Sequence, residues 1–188
     1  MMDTLSIRTD RLELVAACLT HVLAELSGRQ ALATLLCADV PASWPPGEYD
    51  RDALEFFKSK LEGADAEYRG WYSWYVMSRS GDGARQSLVA AAGYLGPPSD
   101  GGVEIGYSVV PEARGNGYAT EIVEALVKRA FQVQAVSRVV AHTLAGNIAS
   151  ASVLGRCGFH TTGAGPDPGS TRYERGRTQP RNPIAQDS

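Results

Sequence analysis

Between Val103 and Phe131 the chain reads VEIGYSVVPEARGNGYATEIVEALVKRAF: an apolar run, a glycine-rich turn, then an amphipathic run. Glycines let the backbone of such a turn approach a ligand closely. The first N–H groups of the helix that follows have no intrahelical acceptor, so the turn suits a phosphate-bearing ligand. Upstream, Glu104, Gly106 and Ser108 share one face of the predicted strand. A carboxylate at Glu104 can act as a general base; the plainer alternative is a solvated strand glutamate. The remaining reactive groups are scattered. Cys18, Cys37 and Cys157 are widely spaced with no CxxC pair, which fits reduced thiols in a cytoplasm and gives no metal site. His142 lies in the apolar run RVVAHTL and reads as a core histidine. A Cys157–His142 nucleophile lacks a third partner. Tyr107, Tyr118 and Trp74 read as core aromatics.

Three ligand classes use a glycine-rich turn ahead of a helix. A Walker A loop needs Gly-Lys followed by Ser or Thr, but Gly117 is followed by Tyr118 and Ala119. A dinucleotide fold needs GxGxxG in an opening βαβ unit. Here Thr120 replaces the third glycine, and no acidic residue ends the next strand near Ala141–Leu144. The third pattern, Arg/Gln-x-x-Gly-x-Gly/Ala, is met by Arg114-Gly115-Asn116-Gly117-Tyr118-Ala119. There the chain resembles the GNAT superfamily of acetyl-CoA-dependent N-acetyltransferases, and within it the branch containing the ribosomal-protein N-terminal acetyltransferases. TDRLEL (Thr9–Leu14) is similar to that branch's opening strand and VEIGYSV (Val103–Val109) to its central strand. AHTLAGNIASASVLGRCGF (Ala141–Phe159) is similar to its second CoA-contacting segment. The resemblance covers about residues 8–176.

The resemblance implies acetyl-CoA as co-substrate, without a metal. The pyrophosphate would sit on the N–H groups of Gly115, Asn116, Gly117, Tyr118, Ala119 and Thr120, with Arg114 positioning the turn or adding charge. The backbone of Ser108, Val109 and Val110 would pair with the pantetheine arm where the strand splays from its neighbour. One N–H there would bond the thioester carbonyl. Asn147 would contact the pantetheine amide or cap its helix. Glu104 is the implied base. Many relatives protonate the leaving thiolate with a tyrosine at the position of Leu154. Ser150, one turn after Asn147, either hydrogen-bonds the sulfur instead or is an ordinary helix serine. The implied reaction is direct attack by a primary amine in a ternary complex, the acceptor being a small-molecule amine or a protein N-terminus. The rival is a non-catalytic acyl-CoA-binding or sensor domain.

These residues need a scaffold, and the hydrophobic periodicity supplies one. Strands are expected over Arg8–Ala17, Trp71–Arg79, Ser87–Leu95, Val103–Val110, Arg138–Leu144, Phe159–Thr162 and Ser170–Arg175. Helices are expected from His21 (capped by Thr20, interrupted at Gly28), over Arg29–Leu36, from Asp50 to Leu61, over Gly117–Phe131 and over Asn147–Arg156. SGDG (Ser80–Gly83) has hairpin-turn composition. Trp44, in the proline-rich loop Asp39–Asp50, either caps the core or lines a substrate slot. The slot itself is expected between the helices of Thr20–Leu61, this loop and the Gly163–Ser170 loop. The fold class is α+β: a GNAT fold with a mixed, mainly antiparallel sheet of about seven strands and about four flanking helices. Residues 1–176 read as one domain and 177–188 as a mobile tail. A net charge of −3 argues against a general nucleic-acid partner, and the sequence has no membrane-length apolar run and no signal peptide. A homodimer through an edge strand or the helices is compatible with the sequence.

Overall fold

The computed structural model describes residues 5–47, 49–63, 68–79 and 85–177. It opens on a tight hairpin, β1 (Ser6–Arg8) and β2 (Leu12–Ala16), where alternation alone suggests one strand over Arg8–Ala17. Thr9 makes the difference. Its N–H donates to Leu12 O, and Leu12 N–H returns to Thr9 Oγ1. Such side-chain bonds to nearby backbone turn a chain without disturbing its hydrophobic alternation.

Helices α1 (Leu19–Ser27) and α2 (Arg29–Leu36) meet at Gly28, whose φ of 137° breaks the helix. Cys18, not Thr20, holds the N-cap position of α1. Helix α3 (Arg51–Leu61) starts where the Asp50 carboxylate accepts the Ala53 N–H at 3.0 Å, and it buries Leu54 with Phe57 and Leu61 packed beside it. Strands β3 (Ser73–Ser78), β4 (Ser87–Tyr94) and β5 (Gly102–Val109) form an antiparallel meander. The Ser80–Gly83 turn expected within it lies outside the described residues. A 3₁₀ turn (Pro111–Ala113) leads to α4 (Tyr118–Ala130), whose stripe Ile122, Leu126 and Ala130 is fully buried. Burial of the larger two contributes about 1.5–3 kcal/mol each. Then follow β6 (Arg138–Leu144), α5 (Ile148–Arg156), β7 (His160–Ala164) and β8 (Ser170–Gly176).

Among the described residues the sheet has eight strands in the order β1-β2-β3-β4-β5-β6-β8-β7, and β5 and β6 pair in parallel. The opening hairpin adds one strand to the expected seven or so, and the five α-helices among the described residues correspond to the five helical spans expected from the sequence. One face of the sheet builds a core with α4 and α5 around Trp74, Tyr94 and Leu126. The other, around Tyr75, Leu32 and Leu54, packs under α1–α3. None of the described helices is long and apolar enough to cross a membrane. Arg177, expected to begin the tail, is docked: its guanidinium donates to Phe131 O, Val133 O and Val136 O just past α4. There it satisfies carbonyls of the turn that follows the helix. The rest of the expected tail, 178–188, lies outside the described residues.

Candidate active site

The site begins where the parallel β5–β6 ladder stops. Strands β5 and β6 are in register over only three pairs, Gly102–Arg138 to Glu104–Val140, and then part. The β4–β5 ladder continues to Val109, and Val110 N–H donates to Val89 O at 2.9 Å. Antiparallel alternation then directs the backbone groups of Ser108 at β4, as those of Val110 are. Those of Tyr107 and Val109 face the gap left by β6. Of the three residues expected to offer backbone there, Val109 does so. Val110 is buried, with its N–H committed to the sheet, and does not line the gap.

The glycine-rich turn closes one end of the gap. Gly115 (φ 78°) and Gly117 (φ 77°) are left-handed, a conformation that costs a residue bearing Cβ about 1–2 kcal/mol. Because α4 starts at Tyr118, the N–H groups of Tyr118, Ala119 and Thr120 lie ahead of its first i→i−4 bond. Asn116 points into the turn, Nδ2 donating to Ala113 O at 3.0 Å, and does not line the cleft. Arg114 Nε donates to Val109 O, tying strand to turn. From the far side Arg11 Nη1 donates to Asn116 O while its Nη2 pairs with Glu121 at 2.7 Å. Burial pushes the Glu121 carboxyl up, but the Thr9 hydroxyl and Arg11 outweigh it and leave it below the usual range. The resulting cleft, about 580 Å³, is lined by Tyr107, Ser108, Val109, Arg114, Gly115, Gly117 to Thr120, and by Asn147, Ser150 and Arg156 of the α5 side. Two arginines, a helix N-terminus and, among the described residues, no carboxylate make it a site for an anion at one end. Free strand backbone suits an amide-bearing chain at the other. The lining therefore fits coenzyme A.

Asn147 Oδ1 accepts Ser150 N–H at 3.1 Å, so it caps α5 while also lining the cleft. Ser150 Oγ lies 2.9 Å from Tyr107 Oη. Burial pushes that phenol up to about 12, against a lowering by Ser150. Leu154 is fully buried, so α5 offers no phenol; β5 brings one instead. Tyr107 reads from the sequence as a core aromatic, the commoner place for such a residue. The parting of β5 from β6 is what opens it to the cleft. Cys157 is buried, its thiol pushed up to about 11 by burial, and it faces Thr120 O rather than His142.

Glu104 and His142 meet at the last rung of the parallel ladder, Oε1 to Nδ1 at 2.7 Å. The histidine is thus an acid's partner and not a passive core residue. Glu104 does not line the cleft. It lies on the opposite face of β5, with Gly106 and Ser108, in a shallow hollow shared with Arg138 and Arg172.

On that face a second cavity of about 420 Å³ lies between α3 and strands β4–β5, and it shares Tyr107 and Ser108 with the cleft. Neither α1, α2 nor the Gly163–Ser170 loop, expected to help form an acceptor slot, lines it. Its wall at Tyr49 is braced by Glu25. Trp44 Nε1 donates to one carboxylate oxygen of Glu25, and the Tyr49 and Tyr75 hydroxyls donate to the other at 3.1 and 2.6 Å. Burial pushes the Glu25 carboxyl up despite these three donors. Trp44 packs against both cores and does not line the cavity, which decides between its two roles. The loop it anchors rests on β5. Ser43 Oγ donates to Glu112 at 2.7 Å, and a Cβ on Gly47 would stand 2.7 Å from Ser108 Oγ.

A strand that leaves its parallel neighbour beside a glycine-rich helix N-terminus is a fold-level signature. The comparison with known families agrees: the acetyltransferase (GNAT) domain model matches residues 13–160, and the chain belongs to that family. Among solved structures it is similar to RimL, the ribosomal L7/L12 alpha-N-protein acetyltransferase (18% identity, 93% of this chain and 95% of that one, TM-score 0.61). It is similar also to the ribosomal-protein-S5-alanine acetyltransferase from Vibrio fischeri (16%, 92% and 96%, 0.60). A third is the microcin C7 self-immunity acetyltransferase MccE, solved with acetyl-CoA and AMP (16%, 90% and 94%, 0.60). At these identities the likeness is one of fold. Comparison with curated protein sequences gives no match.

Proposed function

We propose that this protein transfers the acetyl group of acetyl-CoA to a primary amine by direct attack in a ternary complex, with no covalent enzyme intermediate. The observation that carries the reading is the parting of β5 from β6 after Glu104. It places free backbone, the α4 N-terminus, the Tyr107–Ser150 pair and the cavity under α3 around one gap. The turn N–H groups with Arg114 and Arg156 hold the pyrophosphate, and the backbone of Tyr107 and Val109 pairs with the pantetheine arm. The Val109 N–H bonds the thioester carbonyl oxygen, where negative charge grows as the amine attacks. Glu104 takes the ammonium proton, directly or through water, with His142 holding its carboxylate. The Tyr107–Ser150 pair gives a proton to the departing sulfur. The buried, high-pKa Cys157 thiol is unsuited to carry an acyl group. A cytoplasmic setting fits the three free thiols.

The test is Glu104→Gln assayed by thiol release with a panel of primary amines. The variant should lose roughly 10²–10⁴ in kcat/KM near neutral pH. The deficit should shrink as pH rises and the amine deprotonates unaided, with acetyl-CoA affinity unchanged. Tight acetyl-CoA binding by wild type with no turnover on any amine would refute the transferase reading.

A further inference from the structure

We infer that the acceptor is a primary amine borne on a bulky apolar group, seated in the cavity under α3, with Gly106 making the room for it; this rests on the acetyl-transfer reading above. The cavity is walled by Tyr49, Phe56, Phe57 and Leu95, and among the described residues no charged side chain lines it. Phe56 and Leu95 are 41% and 49% exposed, large apolar groups left in water at the rim of one depression. Scattered single residues of this kind need no explanation, but apolar side chains gathered on a concavity mark a binding site.

Two glycines floor the cavity, for different reasons. Gly93 is required by the fold: its φ is 148°, and a Cβ there would stand 2.1 Å from Tyr72 O. Gly106 is not. Its φ is not in the left-handed region, and a Cβ would meet only Leu95 Cδ1 at 3.7 Å. A glycine inside a strand costs stability and packs nothing, so one that the backbone does not need keeps space for something else. That space lies between Glu104 and Ser108 on one strand face, roughly 7 Å from either along the strand. Ser108 and Tyr107 are also shared between the cavity and the cofactor cleft. An apolar body in the cavity therefore presents its amine between the base and the cleft.

The lining also excludes. A second ammonium, as in a polyamine or an aminoglycoside, would be desolvated with no carboxylate partner among the described lining residues. The carboxylate of a free amino acid would find no cation among them. The shared chemistry left is an amine next to an aromatic or branched apolar group, supplied by an arylalkylamine or by a peptide whose first residue is large and apolar.

The experiment compares initial rates with acetyl-CoA for phenylethylamine, a tetrapeptide beginning with Phe, one beginning with Asp, spermidine and free phenylalanine. The apolar acceptors should exceed the others in kcat/KM by roughly 10–200-fold, and the better of the first two names the source. Gly106→Val, which puts two methyl groups into the cavity, should remove most of that preference. Acetyl-CoA binding by calorimetry reports whether the variant has kept its cleft. Phe56→Ala, at the exposed rim, should lower the same ratio and covers a misfolded Gly106→Val. Equal or better rates with spermidine or the Asp peptide would overturn the inference while leaving acetyl transfer standing. So would an unchanged preference in both variants. No turnover with any acceptor, acetyl-CoA still binding, would overturn both.

Discussion

Replacing Glu25 with glutamine should destabilise the protein by about 2 kcal/mol near neutral pH, and the deficit should be larger in acid. Glu25 is a buried side chain with no cation among its hydrogen-bond partners, only the Trp44 indole and the Tyr49 and Tyr75 hydroxyls. A glutamine keeps the volume. Its amide oxygen can hold the two tyrosines that share one carboxylate oxygen. Its NH₂ then faces the Trp44 N–H, donor against donor, and an unpaired buried donor costs about 1–3 kcal/mol. Two bonds also weaken from charged to neutral, about 1 kcal/mol each. Against this, the wild-type charge no longer has to be buried, which returns a comparable amount and leaves the net near 2 kcal/mol. The pH dependence follows from the sign of the shift. Burial raises the folded-state pKa of Glu25, so its contribution is complete below the ordinary glutamate range and declines as pH rises through the raised value. The variant has no such decline, so the difference between the two proteins narrows from pH 4 to pH 7. Taking that difference cancels Glu13 and Glu121, whose lowered pKa values give the opposite trend. Urea unfolding midpoints across this range, with m held constant, measure it. A difference below 0.5 kcal/mol throughout, or one that widens with pH, would refute the reasoning. Because Glu25 braces the loop that rests on Ser108, the variant should also raise the acceptor KM more than that of acetyl-CoA.

Tyr107→Phe should lower kcat by about 10²-fold or more with little change in acetyl-CoA affinity, and Ser150→Ala added to it should cost far less than the two singly, because the pair acts as one proton donor. Steady-state kinetics on the single and double variants checks both statements. Gly117→Ala should cost about 1–2 kcal/mol in urea unfolding and weaken acetyl-CoA binding in calorimetry. A Cβ there meets only Arg11 Nη2, at 3.5 Å, so the cost is the left-handed backbone. Gly155→Ala, inside α5 with open space around it, should instead stabilise by about 0.5–1 kcal/mol in the same assay.

Several features are decided within a few residues of chain, and these the sequence determines by itself. The turn from Arg114 to Ala119 needs two left-handed residues and has two glycines to supply them. Asp50 and Asn147 have side chains of the right length to cap the helices they precede. Ile122, Leu126 and Ala130 recur at the helical period, and the strand–helix–strand order from Val103 to Leu144 leaves one sensible crossover, giving the parallel β5–β6 pair. The resemblance to the family is carried by that turn together with Thr9–Leu14, Val103–Val109 and Ala141–Phe159.

Other features are settled between residues far apart in sequence, and only the tertiary structure decides them. The length of the β5–β6 ladder depends on where two strands stop being held together, which neither strand's alternation records. Its early end turns Tyr107 from a core aromatic into a cleft residue and closes the Glu104–His142 contact across 38 positions. Glu25 meets partners 19, 24 and 50 residues away, and its own helix gives no sign that a carboxylate is to be buried. Strand β8 comes to lie between β6 and β7 for the same reason: β6 pairs with it from Arg138 to Leu144, a choice of neighbour made on the sheet edge. The acceptor cavity belongs with these. Its walls come from three separate elements, and the residue that makes its space, Gly106, is recognisable only once Leu95 and α3 are seen around it.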